Sequence, residues 1–453
     1  MVKQLIYDSC MIVEKGTEVH RGRGFASKSF KPSAEADGKR EPTATRQTSM
    51  RSPYTKIVFL PFIKYRHLLF PKDKSPNMKS INVLLPMLFL LMAGCVENKH
   101  STNDLITVDV TAKYPYKELI LQDFMDVEYI PLETTDEFLC QGNIWAVGKN
   151  VIVATNFNFS GDIFLFDRKG KALKKINRKG QGNEEYALFN RIVLDEEKEE
   201  IFVNDISKKI LVYDLEGNFK RKISWKGDLL PFEMYNFDQE NLICRDHFHN
   251  NTGQSFLLLS KQDGRITKEI QIPFEKKKSI VVWAQDRKMT YHPQTSHPIM
   301  PYFNDYVLTE YSADTLYSYS PDHALKPFIA RVPSIQSMNP EVFLIPSLLT
   351  DRYFFMEALE KTIEFSSIDL LYDKQEKALF RYRAYNSDYV NKKEAFLKSK
   401  PLNGKIPSCQ FLEVSDLIRD YKGGKLKDKL KEVAATLEED DNPVIMLIKH
   451  RMR

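Results

Sequence analysis

The feature that most restricts the fold is a recurring pattern of short alternating runs. Five stretches share it: "FLFDRKGKALKKI" (164–176), "LVYDLEGNFKRKI" (211–223), "LLSKQDGRITKEI" (258–270), "YSYSPDHALKPFI" (317–329) and "LLYDKQEKALFRY" (370–382). Each is an apolar run, a short polar turn and an alternating run bearing Lys or Arg, the sequence form of strand, tight turn and strand. Asp167, Asp214, Lys261, Ser320 and Asp373 hold equivalent turn positions, 47, 47, 59 and 53 residues apart. Upstream of each hairpin stands a second pair of runs, "NIWAVGKNVIVATN" before the first and "RIVLDEEKEEIFVND" before the second, with "MYNFDQENLICRD", "PYFNDYVLTEYSAD" and "SLLTDRYFFMEALE" holding the same place further on. A unit of about fifty residues with four antiparallel strands is a propeller blade.

A ring of blades has to close, because an open one leaves unpaired strand edges. The material for a final blade stands at both ends of the repeats, in "DVEYIPLETTD" (126–136) and in "SCQFL" and "NPVIMLIKH" near the C-terminus. The expected fold is therefore all-β: a six-bladed β-propeller over 121–453, closed by strands from both chain ends. Leu426, Leu430, Val433 and Leu437 recur at helical spacing within the last blade. Ser415 is the expected N-cap of a shorter helix before Gly423-Gly424, and Asn442-Pro443 the stop of the longer one. This small C-terminal helical insertion is expected to pack on the core, as an apolar helical stripe does.

Ahead of the repeats, "MKSINVLLPMLFLLMAGCVENKH" (78–100) has the order of an export signal: Lys79, an apolar run over 81–92, then Ala93 and Gly94 before Cys95. The run is too short for a membrane-spanning helix, which needs about 20 residues. The stretch Leu91-Met92-Ala93-Gly94-Cys95 resembles a lipobox, which implies cleavage before Cys95 and lipid on its sulfur, with two or more acyl chains holding the protein to a membrane. Residues 78–94 are thus expected to be a lipoprotein signal peptide and 95–120 a tether and linker. Residues 1–77 are polar, rich in Ser, Thr, Lys and Arg, and read as a disordered or mis-annotated extension upstream of a working start at Met78. They carry 15 of the 66 basic and 7 of the 61 acidic residues, so the overall charge of +5 becomes −3 for the remainder. No basic footprint is left on the folded part, and nucleic acid is excluded as an expected partner.

Cys140, Cys244 and Cys409 lie in apolar surroundings and, without Cys95, are odd in number. Buried free thiols, or one pair and one free thiol, both fit that count. Gly-x-Ser-x-Gly, Walker, His-Glu-x-x-His and Cys-x-x-Cys patterns are absent from the sequence. "SKQDGRIT" (260–267) reads as a hairpin turn. In "KGQGNEEY" (179–186) Gly180 and Gly182 read as turn glycines, because the stretch precedes a strand, whereas a phosphate loop opens a helix. Metal-type side chains gather in "CRDHFHNN" (244–251) and "YHPQTSHP" (291–298), giving Asp246, His247, His249, His292 and His297 as candidate ligands of a divalent metal. Tyr291, Tyr302, Tyr306, Tyr311, Tyr317 and Trp283 crowd the fourth blade, where exposed rings would stack on sugars and buried ones would pack between blades.

The stretch 176–223 resembles the NHL-type repeat, with a Gly-rich turn and an acidic-aromatic pair before the strands and a hydrophobic-Asp-x-x-Gly hairpin after them. With "YIPLETTDE", "KGQGNEEY", "YFNDYVLTEYSADTLYSYSPD" and "EEDDNPVIMLIK", the chain resembles the six-bladed β-propeller lipoproteins of Bacteroidetes across most of 126–449. That resemblance implies an outer-membrane lipoprotein, on its periplasmic or outer side, and lends no catalytic residue. The leading expectation is a non-catalytic binding module for a glycan, peptide or protein, with no cofactor. The alternative is a metal-dependent hydrolase or lyase with its site in the central channel, as other six-bladed propellers have.

Overall fold

The repeat's turn chemistry builds the outer hairpin of each blade. In the first blade (strands Gly142–Val147, Val151–Asn156, Asp162–Asp167 and Ala172–Asn177) the Asp167 carboxylate accepts hydrogen bonds from the N–H groups of Lys169 and Lys171 at 2.7 and 2.9 Å. Gly170, at φ +86°, supplies the left-handed residue that returns the chain. The second blade (Phe189–Asp195, Glu200–Asp205, Lys209–Asp214 and Phe219–Ser224) repeats this with Asp214 and Gly217. In the computed structural model the described residues are 105–451 apart from 157–159, 226–228, 230, 247–255, 284–289, 292 and 294. They belong to the unit Asn103–Arg453. Residues 1–77, the signal at 78–94 and Cys95 lie outside them.

Three further blades follow: Pro231–Asn236, Asn241–Asp246, Phe256–Ser260 and Ile266–Ile270; Ile299–Tyr302, Asp305–Leu308, Thr315–Tyr319 and Leu325–Val332; and Val342–Leu349, Tyr353–Glu360, Ser367–Asp373 and Ala378–Asn386. All pair antiparallel within the blade. The third blade corrects the expected register at one point. Its outer turn holds one more residue and opens at Ser260, whose N–H bonds Arg265 O at 2.9 Å. Lys261 is thereby drawn inward, 2% exposed, with Nζ 2.6 Å from Asp195 of the second blade.

One contact recurs from blade to blade. A Cβ on Gly217 would come 3.0 Å from Ile176, and one on Gly264 2.4 Å from Ile223. Each isoleucine is the penultimate residue of the preceding blade's outer strand. Gly170 stands in the same relation to Ile130, in strand Asp126–Pro131. That strand is therefore the outer strand of the sixth blade, which it closes by antiparallel pairing with Val444–Lys449, itself paired with Ser408–Leu412. The fold is a six-bladed β-propeller closed by strands from both chain ends.

The N-terminal stretch differs from the expected linker. Ile106–Asp109 adds a parallel strand to the edge strand Leu325–Val332, and Tyr116–Ile120 does the same on Ala378–Asn386. Those blade edges offer unpaired N–H and C=O groups, and Val108 and Leu119 bury their side chains there. Between strands Ser408–Leu412 and Val444–Lys449 lie helices Val414–Lys422 and Asp428–Ala434. Their Leu417, Leu430 and Ala434 join a core cluster with Leu121, Met125 and Tyr129; of the expected stripe Leu430 and Val433 lie in the second helix, while Leu426 and Leu437 pack on the same core from outside it. The first helix is the longer, and Glu413, not Ser415, stands at its N-cap, leaving Ser415 inside the first turn. Gly423 ends it as expected.

Candidate functional site

The sixth blade shows three strands, and the segment before them crosses the ring's axis. Lys398 Nζ lies 2.8 Å from Glu357 and 2.7 Å from Asp369, both in the fifth blade. Lys400 Nζ sits 4.7 Å over the Trp145 ring of the first. The Tyr235 hydroxyl of the third donates to Pro401 O at 3.1 Å, and Asn403 Nδ2 donates to Val147 O of the first at 3.0 Å. A Cβ on Gly404 would fall 1.8 Å from Phe303 O, in the fourth. Only a segment lying across the axis reaches four blades in seven residues.

At the end where the inner hairpins turn, this segment floors a cleft of about 620 Å³. The first blade contributes Gly148–Asn150, the second Asp195–Glu197, the third Tyr235–Phe237, the fourth Phe303, Asn304 and Tyr306, and the axial segment Leu402–Gly404. The Glu196 carboxylate accepts the N–H groups of Lys149, Asn150 and Val151 at 2.5, 2.6 and 3.2 Å, tying the second blade's turn to the first's. Phe303 is 45% exposed.

Towards the other end stand the two sequence candidates that fall in described residues. Asp246 is buried at the end of its strand and His297 just ahead of the fourth blade's inner strand. Neither ring nitrogen of His297 has a hydrogen-bond partner, and its Nδ1 is 3.8 Å from Glu233 Oε1. Glu233 pairs across strands with Arg245, one position from Asp246. Glu233 Oε2 and Arg245 Nε are likewise unpartnered. His247, His249 and His292 lie outside the described residues. Among the described residues no three His, Cys, Asp or Glu side chains come together as a metal would require.

Most aromatics of the fourth blade are packing residues. Tyr306 packs at a tilt against Tyr235 and Phe237, with its hydroxyl donating to Asn236 O at 2.5 Å. Tyr311 is buried against Phe343. Phe303, which the sequence reading passed over, is the exposed ring of this group among the described residues; its only signal was a polar turn, "YFND", at an inner hairpin. Cys140, Cys244 and Cys409 are unpaired, and burial pushes each thiol up, to about 12 for Cys140 and Cys409. "KGQGNEEY" is a turn: Gly180 N–H donates to Tyr186 O, and Gly182 N–H to Glu185 Oε2 at 2.8 Å.

Sheets set around an axis, with a cleft at one of its ends lined by loops of several blades, define a β-propeller. The chain belongs to the family described as a domain of unknown function, DUF4934, matched over residues 105–449. No curated protein gives a significant match. Among solved structures, a candidate exported protein of Bacteroides fragilis is similar at 15% identity, over 77% of this chain and 100% of that one, with a TM-score of 0.52. A DUF4221 family member from Bacteroides vulgatus is 11% identical over 73% and 98%, with a TM-score of 0.40. A virginiamycin B lyase of Staphylococcus aureus is 12% identical over 54% and 73%, with a TM-score of 0.30. At 15% identity the likeness to the Bacteroides fragilis protein is one of fold alone.

Proposed function

We propose that this protein is an exported lipoprotein, held to the outer membrane through Cys95, whose propeller is a non-catalytic binding module taking a glycan, peptide or protein ligand in the axial cleft. One observation carries the reading: the chain's own segment crosses the axis, is hydrogen-bonded to the first and third blades, and floors a cleft walled by four blades. Rigid frames that present loops from several elements are where binding usually resides. The lipid anchor and export are both supported by the order of residues at 78–95: a basic start, a short apolar run and small residues before Cys95.

Asn304 is exposed in the cleft wall, so Asn304→Arg should fill the cleft and leave the fold intact. Thermal-shift screens of oligosaccharide and peptide panels are expected to give a stabilising hit with the wild type that Asn304→Arg loses. Hits kept by the variant would move the site elsewhere. For the anchor, mass spectrometry of the membrane fraction should show an acylated peptide beginning at Cys95, and an unmodified N-terminus upstream of Met78 in the soluble fraction would contradict it.

The unpartnered His297 beside Glu233 favours a second reading, a metal-dependent hydrolase or lyase at the opposite end of the axis. It predicts zinc binding with His297 as a ligand. Calorimetric titration of zinc into wild type and His297→Ala decides it: heat lost in the variant supports the metal, and no difference removes it.

A further inference from the structure

If the axial cleft is the binding site, its lining singles out a ligand chemistry. Two of its charged groups are engaged within the protein. Asp195 holds Lys261 Nζ at 2.6 Å, and Glu196 is taken up by three backbone N–H groups. Lys149 and Glu197, exposed at the rim, oppose each other in sign. What stays open is uncharged: the exposed side-chain amides of Asn150 and Asn304, with Asn236 Oδ1 behind the cleft surface, shielded from solvent and without a partner. Each amide offers a donor and an acceptor, as each hydroxyl of a sugar does.

Beside these amides Phe303 lies on the His450 ring, with centroids 4.5 Å apart and planes at 27°. Burial pushes the His450 imidazole down to about 4, so near neutral pH the ring beneath Phe303 is uncharged. Phe303 itself stands at φ +52°. A bulky residue in that region is a conformational outlier, and such outliers gather at ligand sites. Gly404 allows the close approach that holds it there, since no side chain would fit against Phe303 O. An exposed aromatic face beside unengaged amides, with little net charge, is complementary to a ring that is apolar on its face and hydroxylated at its edge.

We propose that the axial cleft binds an uncharged saccharide, one sugar ring lying on Phe303 and its hydroxyls meeting the amides of Asn150 and Asn304. The test is calorimetric titration of the full-length protein in detergent. The probes are neutral hexasaccharides of glucose, mannose and xylose, an acidic hexagalacturonate and a mixed hexapeptide pool. At least one neutral series should bind, and Phe303→Asn should weaken it about tenfold or more. Asn tolerates a left-handed backbone, so this variant removes the platform without straining the turn. Phe303→Tyr should stay within about threefold of wild type, because it keeps the ring. Neutral binding unchanged by Phe303→Asn, or no neutral binding at all, overturns the saccharide inference. Hexapeptide or hexagalacturonate binding that Asn304→Arg abolishes would overturn it while leaving the cleft in place as the site. Neutral binding that survives both Phe303→Asn and Asn304→Arg would overturn cleft and saccharide together.

Discussion

Single residues in the turns carry much of the register. Gly264, at φ +76°, faces Ile223, while Gly424, at φ +66°, has open space around it. Gly424→Ala should therefore cost about 1 kcal/mol, the conformational part alone. Gly264→Ala should cost about 3 kcal/mol, because overpacking is added to it. Urea unfolding of the two variants measures the difference, and equal losses would contradict the blade-to-blade contact. Lys261 and Asp195, both nearly fully buried, bind each other across two blades. Asp195→Ala strands the ammonium and should cost about 3 kcal/mol or more, and the pair replaced together by Leu and Met should cost much less. The Asp and Gly turn residues were legible because one backbone conformation demands them. Lys261 was not, since one extra turn residue moves a side chain from the surface to the interior without altering the pattern around it. Phe303 was not either: strands favour aromatics, and sequence does not tell an exposed ring from a packed one.

Among the elements, the repeated strands were legible from alternation, and the closing blade from the need to pair its edges. The two strands before it were not. "ITVD" and "YKELI" are short, and nothing local states which blade edge they join. A measurement separates strand from linker: Leu119→Ala should lose about 2–4 kcal/mol if the stretch is docked as described. A solvated linker would change by no more than about 0.5 kcal/mol. The axial segment was equally hidden. Its contacts are made by Lys398, Lys400, Pro401 and Asn403 to partners 29 to 256 residues away, and no spacing in the sequence encodes them.

For the molecule as a whole, acid stability should fall in two stages. Burial holds His450 at about 4 in the folded chain against 6.5 when exposed. The unfolded chain takes up that proton first, so the contribution is complete above about pH 6.5 and is lost as pH falls towards 4. The Arg221 guanidinium, at 2.7 and 2.8 Å, holds Glu200 down to about 2 against burial, with help from Lys220. Asp373 is also at about 2: burial raises it, and Lys117 and Arg352 outweigh that. These carboxylates contribute above about pH 4.5 and are lost between there and pH 2. His450→Phe should flatten the loss between pH 6.5 and 4.5 and keep the loss below it; denaturant midpoints against pH show either outcome.

The cleft itself was beyond sequence reading, because its walls come from 148–150, 195–197, 235–237, 303–306 and 402–404. Of the five candidates that sequence did offer, the two in described residues, Asp246 and His297, stand towards the opposite end of the axis. Hydrogen–deuterium exchange with and without a neutral oligosaccharide mixture, and separately with a peptide mixture, distinguishes the two ends directly. With one of the mixtures, exchange should slow together in 148–150, 303–306 and 402–404. Slowing confined to 241–246 and 295–298, or none with either mixture, would contradict binding in the axial cleft.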